Sequence, residues 1–101
     1  MTYAPVNDVA GRVDELRRVI DDLDDQIIAT LIRRIEVSRE IQATRMSAGL
    51  PRIQYARENR VIERYTDAVG PAGTDLALEI LRASRGDPAR QGIEGVAPLQ
   101  R

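Results

Sequence analysis

The chain has 101 residues, 43% of them hydrophobic and 31% charged, enough for one domain around a modest core. Its 15 basic and 16 acidic residues leave a net charge of -1, and every cation is an arginine, so no long-range field gathers nucleic acid. Cysteine and histidine are both absent, which excludes disulfides, thiol nucleophiles, thiolate metal sites and the usual neutral-pH proton shuttle.

Residues 1–12 read as a flexible lead-in, because Pro5, Asn7 and Gly11 interrupt any pattern. The opening Met1-Thr2-Tyr3-Ala4-Pro5 lacks the basic and apolar regions of a signal peptide. No apolar run approaches the ~20 residues that span a bilayer. The expected setting is the cytoplasm, with no membrane as partner.

Residues 13–48 contain neither Gly nor Pro, and Val13, Leu16, Ile20, Leu23, Ile27, Leu31, Ile35 and Ile41 recur at helical spacing. Thirty-six residues make a rod of roughly 54 Å, whereas a compact monomer of this size has a radius of gyration of only ~13 Å. An apolar stripe on such a rod needs a second chain to cover it, so a homodimer is expected.

Gly49-Leu50-Pro51 ends this helix, and Arg52-Ile53-Gln54 form a short loop. A second helix is predicted over residues 55–68, with Val61, Ile62 and Tyr65 inward. Gly70-Pro71-Ala72-Gly73 marks a turn, and Thr74 is the predicted N-cap of a third helix. That helix carries Leu76, Leu78, Ile80 and Leu81 to about Arg85, where Gly86 ends it. Residues 13–86 make the domain, and residues 87–101, rich in Gly, Pro and polar residues, read as a mobile tail.

Arginines interrupt the apolar stripe. Arg34, Ser38, Ile41 and Arg45 follow at steps of four, three and four. Eleven residues close three helical turns within about 20°, so Arg34 and Arg45 share a face, their Cα atoms ~16 Å apart along the axis. Near a buried seam each needs an anionic partner. A small dianion gripped at both ends would serve, since a guanidinium meets a carboxylate with two parallel hydrogen bonds. A solvated stripe, or ion pairs to Glu58 or Glu63, would serve as well. Arg17 stands ~25 Å from Arg34 along the helix and about 100° around it. It can join the same small site only from another subunit; otherwise it is an exposed arginine beside Asp21.

These residues, taken together, resemble the all-helical AroQ-type chorismate mutases over residues 13–86. The resemblance rests on Leu16-Arg17, Leu23-Asp24, Arg33-Arg34-Ile35-Glu36-Val37-Ser38, Arg45-Met46 and Arg57-Glu58. The stretch from Ile35 to Tyr65 looks most like the short bacterial subclass. The resemblance implies an all-α, three-helix chain in an intertwined homodimer that rearranges chorismate to prephenate for phenylalanine and tyrosine synthesis, with no cofactor and no metal. It implies Arg45, Arg34 and Glu58 as catalytic residues. Substrate binding would add Arg17 from the partner subunit, Arg57, Gln54 and Ser84. Gln54 stands where many members carry an acid. The third-helix glutamine of many members falls in register at Pro88, with Gln91 the candidate substitute, and the similar short subclass gains activity in complex with DAHP synthase. Other functions are compatible with the same frame: an isochorismate-pyruvate lyase, a 4-amino-4-deoxychorismate mutase, or a non-catalytic helical dimer that regulates DAHP synthase.

Overall fold

The computed structural model describes residues 6–86. The expectations for residues 1–5 and for the tail at 87–101, including Pro88 and Gln91, lie outside the described residues. Three helices and no strand make up the described part: α1 (Val6–Ser47), α2 (Tyr55–Val69) and α3 (Pro71–Arg85). The all-α expectation holds.

Helix α1 begins at Val6 rather than at residue 13, so residues 6–12 of the expected lead-in are helical. A lone glycine such as Gly11 costs a helix only about 1 kcal/mol, and Asp8 in the first turn complements the positive end of the helix dipole. The chain divides into two units, Met1–Thr30 and Leu31–Arg101. In the first unit every residue from 8 to 30 is exposed, including Val13, Leu16, Ile20, Leu23 and Ile27. This segment has no core of its own.

In the second unit the remainder of α1 stands with α2 and α3. Gly49, with φ of 78°, terminates α1. The Leu50 N–H donates to Arg45 O at 2.9 Å and the Gly49 N–H to Met46 O at 3.0 Å, the paired bonds of a Schellman cap. Gly70 alone joins the next two helices, closing α2 and capping α3 with φ of 85° and ψ of -160°, a conformation open almost only to glycine. Helix α3 therefore starts at Pro71 and not at Thr74, because a proline at N1 surrenders no hydrogen bond. Thr74, expected as the cap, lies inside the helix with its hydroxyl hydrogen-bonded to that of Thr66.

The buried residues of α3 are Gly73, Ala77, Leu81 and Ser84, which with Ile35 and Val61 form the core. Leu76 and Leu78, also carried by this helix, are 49% and 43% exposed. Small residues define the packing face because two backbones meet there: a Cβ on Gly73 would lie 2.1 Å from Tyr65 O. Gly73→Ala should therefore lower stability by about 1–3 kcal/mol despite alanine's better helix propensity. Urea unfolding measures this, and an unchanged or raised midpoint would contradict the close approach.

Candidate active site

Polar side chains from α1, the α1–α2 loop and α2 meet at the last turn of α3. Ser84 is 2% exposed. Its hydroxyl donates to Ile80 O at 2.7 Å, and its oxygen then accepts from Arg34 Nη1 at 3.3 Å. Gln42 Nε2 donates to Ser84 O at 3.0 Å and to Ser38 Oγ at 3.3 Å. Arg52 Nη1 donates to Arg85 O at 3.3 Å. The last carbonyls of a helix have no partner within it, and here side chains from α1 and from the α1–α2 loop supply them. The helix end and the polar cluster are one construction.

Arg45 sits in the last turn of α1. Its Nε donates to Pro51 O at 2.8 Å, so the loop folds back on the arginine and fixes its stem. Arg34 and Arg45 are both half-buried, and among the described residues neither pairs with a carboxylate. The ion pairs to Glu58 or Glu63 entertained for them are not formed. Glu58 instead binds Arg85, which donates through Nε to Oε2 at 3.2 Å and through Nη2 to Oε1. The hydrogen bond to Glu58 holds the Arg85 guanidinium above its ordinary pKa; partial burial opposes this, and the negative charge of Glu58 adds to it.

The remaining expected residues are less engaged. Gln54 is exposed at the N-cap of α2, where its side chain caps nothing and its carbonyl accepts from the Glu58 N–H at 3.0 Å. Arg57 is exposed on the first turn of α2. Arg17 is exposed in the first unit, and among the described residues it makes no ion pair with Asp21 or Asp24. Arg34, Ser84 and, through the end of α3, Glu58 are thus tied into one hydrogen-bonded cluster, while Gln54, Arg57 and Arg17 are not. Sequence reasoning missed Gln42, Arg52 and Arg85. The signal for Gln42 was its place one turn beyond Ser38 on the helix that carries Arg34. Arg52 and Arg85 had no local signal, because their partners lie on other elements.

A family model described as chorismate mutase type II matches residues 16–84. The chain belongs to that family. It is 52% identical over 79 residues to the intracellular chorismate mutase of Mycolicibacterium smegmatis, covering 78% of this chain and 76% of that protein. It is 49% identical over 74 residues to the intracellular chorismate mutase of Mycobacterium tuberculosis, covering 73% and 70%. A chain from the non-covalent complex of DAHP synthase and chorismate mutase from Corynebacterium glutamicum, with bound transition state analogue, superposes with a TM-score of 0.76 at 34% identity. That match covers 82% of this chain and 98% of the other. The match to the chorismate mutase model runs from the first unit through the buried serine of α3, so it includes Arg17, Arg34, Arg45, Gln54, Arg57, Glu58 and Ser84. Among the described residues no helix is long and apolar enough to cross a membrane.

Proposed function

We propose that this chorismate mutase, an isomerase, converts chorismate to prephenate by closing arginines around the two carboxylates and the ether oxygen of its substrate. The observation that carries the reading is the state of Arg34 and Arg45, half-buried and held by neutral oxygens. A guanidinium drawn partly out of water is incompletely compensated by a neutral acceptor, and a dianionic ligand supplies the missing charge.

The rearrangement breaks one C–O bond while one C–C bond forms. It needs no nucleophile, proton shuttle, metal or cofactor, which suits a chain without cysteine or histidine. It needs the side chain of the substrate held over the ring and donors where negative charge builds on the ether oxygen. In this reading Arg34, with its fork steadied by Ser84, takes one carboxylate. Arg45 keeps its stem tied to Pro51 O and turns its terminal nitrogens to the ether oxygen and the other carboxylate. Arg57 adds a carboxylate contact, Glu58 accepts from the ring hydroxyl, and Gln54 is a further hydrogen-bonding group for that hydroxyl.

Arg17 completes the site from the partner subunit of a homodimer. The support is the apolar series of residues 8–30, exposed throughout and of a length and spacing that a second copy would cover. DAHP synthase is the further partner. One structural relative comes from a complex with that enzyme, and α3 ends at Arg85, before the register of the glutamine that faces the ether oxygen in many family members. The reaction is assigned to the cytoplasm, a setting supported by relatives named intracellular.

Arg45→Ala should lower kcat for chorismate by at least about 100-fold while circular dichroism stays helical; near-normal turnover would refute its assignment. Mixing the separately inactive Arg17→Ala and Arg34→Ala proteins should restore activity to about a quarter of wild type, because half the dimers then carry one intact shared site. No recovery after verified subunit exchange would place Arg17 outside the site. Adding DAHP synthase should raise kcat/KM by roughly tenfold or more, and a rate that ignores the partner would count against that complex.

A further inference from the structure

Four ion pairs join the described residues. Arg12–Glu15, Arg33–Glu36 and Arg82–Glu79 are neighbours three residues apart on exposed helix faces, the kind that contributes little. The fourth, Arg85–Glu58, spans 27 residues and joins the end of α3 to the first turn of α2. It is shielded as well, the two side chains being 35% and 16% exposed. The Arg85 fork meets Glu58 through two parallel hydrogen bonds, which fixes the plane of the carboxylate as well as its position. Arg85 is anchored in turn. Its carbonyl accepts from Arg52, and directly after it Gly86 turns the chain with φ of 72° while its N–H donates to Arg82 O at 3.3 Å.

We infer that Arg85 is a positioning residue for Glu58 and sets the preference of the site for a neutral hydroxyl over an ammonium group on the substrate ring. The inference rests on the reading in which Glu58 accepts from that hydroxyl. A carboxylate offers about four lone-pair sites, so two bonds from Arg85 leave room for a third donor. A hydroxyl needs only that lone pair. An ammonium gains chiefly from net negative charge, and Arg85 has already neutralised it while repelling a second cation at the same carboxylate. Without the guanidinium, Glu58 becomes a bare, loosely aimed anion that favours an amine.

The test uses the full chain with chorismate as substrate and 4-amino-4-deoxychorismate as competitor, whose allylic amine is largely protonated at neutral pH. Arg85→Gln, and Arg85→Met to preserve the apolar stem, should each lower kcat for chorismate by about tenfold, the scale of one lost hydrogen bond to a charged group. They should also tighten inhibition by the amine, relative to KM for chorismate, by about tenfold. Arg85→Lys keeps the charge without the fork, so it should retain the wild-type ratio of inhibition constant to KM while recovering only part of kcat. Helical, folded Gln or Met variants with the wild-type ratio would reduce the pair to a structural staple and overturn the inference. So would a lysine variant with a ratio shifted toward the amine. Glu58→Gln is measured alongside: if it leaves chorismate turnover unchanged, the placement of Glu58 at the hydroxyl fails, whereas a large loss there with an indifferent Arg85 sinks only the present inference.

Discussion

A guanidinium set against neutral oxygens keeps its charge available, and the second unit of this chain is organised around that condition. Ser84 is closed to water and gives its hydrogen to Ile80 O, so its oxygen can only accept, and what it accepts is Arg34. Arg45 is treated alike, with a backbone carbonyl of the loop taking its Nε. Had either arginine met a protein carboxylate, the interaction with an incoming anion would have been weakened by the charge already present. The one carboxylate of the cluster, Glu58, is matched instead with Arg85.

This arrangement ties chemistry to fold through the end of a helix. The carbonyls of Ser84 and Arg85 have no partners within α3 and are satisfied by Gln42 and Arg52. The position of α3 itself is set further back, where Gly73 lets its backbone meet that of α2 at Tyr65 and where Gly70 forces the reversal in a single residue. Glycine at those two places thus governs where Ser84 and Arg85 arrive, although neither glycine lies near the polar cluster in sequence.

The first unit carries the opposite problem. Its helix is formed by local propensity, and its apolar residues at helical spacing remain in water throughout residues 8–30. Helical stability in proteins comes mostly from packing an apolar face, and the proposed homodimer would supply this segment with that packing as one half of an interface. A shared site with Arg17 contributed across that interface would make assembly and catalysis the same event.

Local chemistry was enough to determine that there are three helices and where the first and third end, since periodicity, Gly49 and Gly86 act through neighbours in the chain, but it did not place the starts of α1 at Val6 and of α3 at Pro71. The family could be identified from spaced residues along the long first helix and on the second, and with it the expectation that Arg17, Arg34, Arg45, Glu58 and Ser84 matter. The tertiary structure decided what those residues touch. It put Ser84 behind Arg34, paired Glu58 with Arg85 rather than with Arg34 or Arg45, brought Gln42 and Arg52 into the cluster, and left Leu76 and Leu78 outside. Each of these outcomes depends on how closely two helices approach. Side-chain spacing along one element fixes direction around its axis, but the distance to another element is set by the smallest residues between them.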